Sequence, residues 1–348
     1  MKRIKFCGLM LLLFVAAAVS AQDVRMNFDA GKDDLPNISQ SNPTVSTART
    51  QAMWVFPGGQ NPNPITNGAA RNRLIFDSWR SGVNKLYVSV YQSIENSSGR
   101  LMYEDAAMAQ LVNRAHRKNR QEVWTAYGAP DWALIGCSAT AFPLRRMAEV
   151  AAYNASHRTT DKFDGVILDV EPNEPQSAAD FQALLNLYRC VRQTLPPNIK
   201  LAAAIRFFWD APVAFPASGG AVKPVYQHII DLNLDNVVVM GYRDFAGTSD
   251  CSQGDGIICL DKDEIAYANS VNKPNLILIG LETRNPFPDL LNKETFYEEG
   301  QTRLQTETQT VSNFFTGSAS FGGYAIHNYQ SAYLSGTTDW QSPAAPLP

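Results

Sequence analysis

From Gln51 to Asn328 the chain repeats one scheme: a short apolar run, a polar loop, then a stretch with apolar residues at helical spacing. The apolar runs are Ala52–Phe56, Lys85–Tyr91, Glu122–Tyr127, Asp164–Glu171, Leu201–Arg206, Asn236–Tyr242, Leu276–Glu282 and Gly322–Asn328. Between them the spacing predicts helices over Tyr103–Asn119, Pro143–Ser156, Ala178–Leu195, Pro224–Asn233, Lys262–Val271 and Thr295–Phe315. Alternating strands and helices argue for a parallel sheet, and eight strands within one chain of this length argue for a closed (β/α)8 TIM barrel. A doubly wound open sheet is the structural competitor. Against it, the first run is followed by Pro57-Gly58-Gly59-Gln60, without a dinucleotide fingerprint, and no phosphate-binding loop occurs anywhere in the chain.

A barrel of this kind carries its chemistry at the C-terminal ends of its strands. The polar and aromatic residues there are Tyr91, Tyr127 with Asp131 and Trp132, Asp169 with Glu171, Arg206 with Trp209, Tyr242 with Asp244, Glu282, and His327 with Asn328 or Tyr329. Carboxylates for acid catalysis, aromatic faces for sugar rings and donors for hydroxyl groups make this a carbohydrate-type set.

The stretch Phe163–Pro172 (FDGVILDVEP) concentrates the signal. Side chains alternate along a strand, so Gly165, Ile167, Asp169 and Glu171 share one face, and Val166, Leu168 and Val170 share the other. Two carboxylates therefore project together at the strand end. Holding like charges side by side in a barrel mouth raises the cost of ionising one of them, which is how a protonated general acid is kept near neutral pH.

Composition changes the picture only at the margins. A net charge of -3 with 18% charged residues gives no nucleic-acid footprint. Residues 1–21, Met1-Lys2-Arg3-Ile4-Lys5 followed by an apolar run and Val19-Ser20-Ala21, read as a secretory signal peptide cut near Ala21, which predicts a secreted or periplasmic protein. The apolar run is short for a span, which needs roughly 20 residues, and no second membrane segment is predicted. Residues 22–50 read as an extended lead-in, 51–335 as a single barrel and 336–348 as a tail, with a short or irregular last helix from Ala332. Beyond the signal, Cys137, Cys190, Cys251 and Cys259 remain in a disulfide-permitting compartment. Four cysteines allow three connectivities; the expected pair is Cys251 with Cys259, which leaves Cys137 with Cys190. No paired Cys or His spacing suggests a metal, no cofactor is predicted, and no oligomeric state follows.

The Phe163–Glu171 stretch resembles the signature of family 18 glycoside hydrolases, the chitinase-like barrels, whose fourth strand reads Phe-Asp-Gly-x-Asp-x-Asp-x-Glu. Phe163, Asp164, Gly165, Asp169 and Glu171 match, and Ile167 replaces the first inner aspartate. Val238–Tyr242 is similar to the family's sixth strand, Met-x-Tyr-Asp, with Arg243 in place of the aspartate; Gly322–His327 is similar to its last strand, with His327 where a tryptophan usually floors the sugar site. The chain also resembles a group of secreted bacterial barrels carrying Asp-Val-Glu-Pro, Tyr-Arg-Asp, Gly-x-Glu-Thr and Ala-Ile-His, here at 169–172, 242–244, 280–283 and 325–327. The resemblance to the chitinase-like family implies hydrolysis of N-acetylglucosamine-containing glycans. It makes Glu171 the acid that protonates the glycosidic oxygen, Asp169 the holder of the substrate's acetamido group, and Tyr242 a donor to that group, the substrate-assisted scheme. Tyr127, Trp132, Arg206, Trp209, Arg243, Asp244 and His327 are then expected to bind carbohydrate.

Two other readings stay open. In one, a retaining glycosidase uses Glu171 as acid and Glu282 as nucleophile. In the other, a glycan-binding barrel has lost activity, with Ile167, Arg243 and His327 as the marks of loss. The plainer readings are that Glu282 pairs with Arg206 or Arg243, that Tyr127, Trp132, Trp209 and Tyr242 pack, that His327 is a satisfied core histidine, that Asp164 structures the start of its strand, and that Asp261, Asp263 and Glu264 form the acidic first turn of a helix.

Overall fold

The structure, a computed structural model, describes residues 49–329 apart from 61, 93–98, 139, 175, 217–218, 253 and 286–289, together with Leu347. The expected signal peptide, all of the lead-in but Arg49 and Thr50, the last helix from Ala332 and all of the tail but Leu347 lie outside these residues.

Strands β1 (Thr50–Val55), β2 (Lys85–Val88), β3 (Glu122–Tyr127), β4 (Gly165–Leu168), β5 (Lys200–Arg206), β8 (Asn236–Met240), β9 (Ile277–Glu282) and β10 (Phe321–His327) close into one barrel. Neighbours pair in parallel around the ring, with β1 closing on β10. The expected (β/α)8 barrel is therefore observed. Each strand coincides with one of the apolar runs, shifted by at most a few residues at its ends. Between β5 and the next helix lies an antiparallel pair, β6 (Pro212–Ala214) with β7 (Val222–Pro224), too short for periodicity to reveal.

The two faces of each strand build two cores. Ala52, Trp54, Tyr87, Trp124, Ala126, Ile167, Ala202, Ala204, Val238, Leu278 and Ala325 fill the barrel axis, while Val166, Leu168 and Val170 join the larger cluster beneath the helices. Large aromatics facing alanines and glycines let the inner layers interdigitate. A Cβ on Gly165 would stand 2.6 Å from the Trp124 ring, so glycine at that point makes room for the indole.

The helices are α1 (Gly68–Arg80), α2 (Asp105–Arg114), α3 (Trp132–Ile135), α4 (Phe142–Ser156), α5 (Ala178–Thr194), α6 (Val225–Asp231), α7 (Ile257–Ser270) and α8 (Gly300–Phe314). Helix α1, capped by Asn67, and the single turn α3 are additions to the expected set. Helix α5 starts on a reciprocal Ser177–Asp180 capping box, which satisfies two otherwise orphaned backbone donors. Helix α7 corrects an expectation. It starts at Ile257, so Asp261 and Glu264 lie past the first turn and are buried, at 0% and 1% exposure. The first turn of α7 is Ile257-Ile258-Cys259, and this apolar start concealed its N-terminus in the sequence.

Disulfides join Cys251 to Cys259 and Cys137 to Cys190; the second ties the loop after α3 to α5. Among the described residues no helix is long and apolar enough to cross a membrane.

Candidate active site

The C-terminal ends of β4, β5, β8, β9 and β10 meet at one mouth of the barrel. Asp169 and Glu171 follow β4, continuing the inward face of Gly165 and Ile167. Their placement depends on a close approach of two chain segments. The Asp169 amide donates to the Tyr127 carbonyl at 2.8 Å, and a Cβ on Gly128 would fall 1.8 Å from the Asp169 carbonyl oxygen. Only a glycine after β3 permits that approach, and sequence reasoning had not singled out Gly128. Its visible signal was its position directly after the strand-end Tyr127, in a Gly-Ala-Pro turn.

The two carboxyls differ sharply in their surroundings. Glu171 is ion-paired through Oε2 with the Arg206 Nε, and the same guanidinium reaches the exposed Glu174 through Nη1. The Arg206 guanidinium also lies 5.6 Å from the Phe208 ring centroid. Asp169 Oδ1 is buried and, among the described residues, has no hydrogen-bond partner. Burial, then the adjacent Glu171 charge and hydrogen bond, push the Asp169 carboxyl up to about 7, against the opposing pull of His327 and Arg206. A buried orphan oxygen on an acid that titrates near neutrality is the pattern of a site that awaits a donor.

Tyr242 follows β8 and is half-buried. Its ring rests against β9, where a Cβ on Gly280 would come within 3.0 Å of Cε1. Burial, followed by the charges of Glu282, Asp169 and Glu171, lifts the Tyr242 hydroxyl well above the usual phenol range, so it remains a hydrogen-bond donor among three carboxyl groups.

Glu282, at the end of β9, is 1% exposed. Its Oε1 accepts the backbone N–H groups of Thr283 at 2.9 Å and Arg284 at 2.8 Å. The His327 Nδ1 lies 3.0 Å from Oε1 and 2.9 Å from Oε2. The plainer expectation of a pair with Arg206 or Arg243 is thus corrected: Arg206 is spent on Glu171, and Arg243 is held by Asp255 and by the Tyr242 carbonyl at 2.6 Å. The His327 ring sits among Phe56 at 5.3 Å, Trp54 at 6.4 Å and Tyr242 at 6.4 Å between centroids.

The remaining sequence-selected residues lie farther from these carboxyls or within the core. Tyr127 and Trp132 are 2% and 5% exposed and stack in series beneath the half-exposed Tyr91, with centroid spacings of 6.2 and 6.1 Å. Trp209 is 1% exposed and packs edge-on to Phe181 at 5.7 Å. These three rings thus take the packing reading, and Tyr91 is the member of the stack that offers a face to solvent. Asp244 shares a hydrogen bond with Glu299, and burial raises its carboxyl above the usual range. Asp164 has the role read for it at the start of the strand: Oδ2 accepts the Val123 amide at 2.7 Å and lies 2.8 Å from the His116 Nε2. Among the described residues no group of three or more His, Cys, Asp or Glu side chains is arranged to hold a metal.

Comparison with known proteins gives the fold a context. No family model and no curated protein sequence matches the chain. Solved structures do. The spore cortex-lytic enzyme SleL of Bacillus cereus is similar at 13% identity and a TM-score of 0.50, over 82% of this chain and 72% of that one. A chitinase of Rhizomucor miehei is similar at 12% identity and a TM-score of 0.50, over 83% and 97% of the two chains. A family 18 chitinase of Cycas revoluta, solved with allosamidin, is similar at 14% identity and a TM-score of 0.50, over 80% and 94%. The barrel of this chain is thus the barrel seen in family 18 chitinases and their relatives.

Proposed function

We propose that the protein is a glycoside hydrolase acting on N-acetylglucosamine-containing glycans, with Glu171 as general acid and Asp169 as the group that holds the substrate's acetamido nitrogen. The observation that carries this reading is the Asp169–Glu171 pair: two carboxyls in hydrogen-bond contact, one pushed up to about 7, with Oδ1 buried and unpartnered. An acetamido N–H is a donor of the kind Oδ1 lacks. A proton held between the two carboxyls is the proton a leaving glycosidic oxygen needs. The Tyr242 hydroxyl, kept protonated beside both, donates to the acetamido carbonyl as that oxygen attacks the anomeric carbon. Two of the structures sharing this barrel are chitinases by name, the same substrate class. The two disulfides fit a secreted or periplasmic protein.

The retaining scheme with Glu282 as nucleophile is less well supported, because both Glu282 oxygens are already engaged. A binding-only barrel is the second reading, favoured by the Arg206–Glu171 ion pair, which occupies the proposed acid. Hydrolysis of matched aryl glycosides with and without the 2-acetamido group tests the proposal. It expects turnover of the acetamido sugar alone; equal turnover of both would remove substrate assistance, and affinity without cleavage across a glycan panel would establish the binding-only barrel.

A further inference from the structure

The basic and acidic positions that crowd this mouth are not equivalent. Glu171 has Oε2 on Arg206, and Asp169 is in hydrogen-bond contact with Glu171. His327 is different. Its Nδ1 is taken by Glu282, whose Oε1 already accepts two backbone N–H groups, so the hydrogen between them sits on Nδ1 and the donor is the imidazole. Nε2 is then the basic nitrogen, and among the described residues it has no hydrogen-bond partner. The ring is about one-fifth exposed, wedged by Phe56, Trp54 and Tyr242, so neither a flip nor a swing is free. A buried carboxylate on one imidazole nitrogen and an open second nitrogen are the geometry of an oriented general base.

We propose that His327 is the general base of this site and Glu282 its positioning carboxylate. The inference rests on the glycosidase reading. With the acetamido group closed onto the anomeric carbon and the leaving sugar gone, a water molecule gives one proton to the His327 Nε2 as its oxygen bonds to that carbon. The carbon–oxygen bond to the acetamido group breaks, and its electron pair restores the acetamide. The imidazolium then returns its proton to the Asp169–Glu171 pair, which replaces the one delivered to the leaving oxygen. Glu171, occupied by Arg206, is thereby relieved of acting as base. The charged and titratable groups around His327 are Glu282, with Arg284 beside it, from β9 and its loop, Tyr242 after β8 and Asp169 after β4, which in turn lies beside Glu171 and Arg206.

The test uses an aryl glycoside of N,N′-diacetylchitobiose, whose leaving group needs no protonation, so that a loss of rate reports the base and not the acid. Because the aryl group leaves fast, water attack limits kcat, and the wild-type kcat profile should show an acid limb. His327→Gln and His327→Asn should each lose that limb and at least ~100-fold in rate. Nitrogen-15 NMR should find the hydrogen on Nδ1 of His327 in the wild type, and Glu282→Gln should both mix the tautomers and move the acid limb. Near-UV circular dichroism identifies folded variants; if neither His327 variant folds, the tautomer and the Glu282→Gln profile decide. Rate and limb unchanged in the His327 variants, or a hydrogen on Nε2 in the wild type, overturns the proposal while leaving the glycosidase reading intact. A wild-type chain that turns over no acetamido glycoside overturns that reading and the proposal with it.

Discussion

The two mouths of the barrel hold similar chemistry and treat it in opposite ways. At the N-terminal mouth, Lys85 on β2 donates to the Asn236 side chain, stands 3.4 Å from Glu122 on β3 and lies 4.3 Å over the Trp124 ring. Glu122 also pairs with Lys200 of β5 and accepts the Trp124 indole N–H at 3.0 Å. Burial pushes Lys85 down to about 8, while Lys85 and Lys200 together hold the Glu122 carboxyl below its ordinary range despite burial. At the C-terminal mouth, Asp169 Oδ1 and His327 Nε2 have no hydrogen-bond partner among the described residues. A cavity of about 410 Å³, lined by Lys85, Glu122 and Lys200, is at the N-terminal mouth, away from Asp169. What distinguishes the C-terminal mouth is the pairing of an orphan oxygen on Asp169 with a second carboxyl, Glu171, in hydrogen-bond contact, an arrangement a ligand donor can complete.

The sharpest way to break this contrast is at Gly128. Gly128→Ala forces a Cβ onto the Asp169 carbonyl and should cost on the order of 4 kcal/mol or more, read by urea denaturation, with hydrolysis lost as Asp169 moves. Next is the opposite mouth. Lys85→Ala strips a buried stem from Trp124 and leaves the Asn236 Oδ1 without its donor, and should cost about 2–4 kcal/mol of stability while kcat/KM stays within about twofold of wild type. A large loss of rate in that variant would mean that the two mouths are not separable.

A smaller effect comes from Glu264, which burial holds at about 8. A raised carboxyl contributes stability that is fully present below its unfolded value of 4.5 and is lost as pH rises through about 8. Glu264→Gln should flatten the wild-type decline in melting temperature between those values; parallel curves would contradict it. Least of all in stability terms, Asp169→Asn should leave the melting temperature at pH ~8 unchanged or slightly higher, since it removes a carboxyl disfavoured there by burial and by Glu171, yet it should abolish substrate assistance.

How far the sequence reached follows the same physics. Eight strands and their inward faces were legible because two-sided burial writes itself as short apolar runs, and the alternation at Gly165, Ile167, Asp169 and Glu171 gave the correct face outright. Helix α7 was misplaced because its first turn is apolar and its acids are buried; composition there imitates a capped N-terminus. Partnerships were harder. Arg206, Arg243, Glu282 and His327 stand at four strand ends, and which cation takes which carboxylate depends on distances across the barrel that no local pattern encodes. Trp132 and Trp209 had the residue type of a sugar platform, but exposure is set by the loops that cover them. Gly128 and Gly280 were visible only as glycines, since what they admit belongs to a neighbouring strand.

The carboxyl pair after β4 is proposed to perform hydrolysis, with Glu171 delivering the proton. The direct measurement is the steady-state rate of cleavage of an N-acetylglucosamine oligomer by the wild-type chain and by Glu171→Gln, both shown folded by circular dichroism. Wild-type turnover and a loss of at least ~100-fold in the variant are expected; an unchanged rate, or no turnover by the wild type, would contradict the role proposed for Glu171.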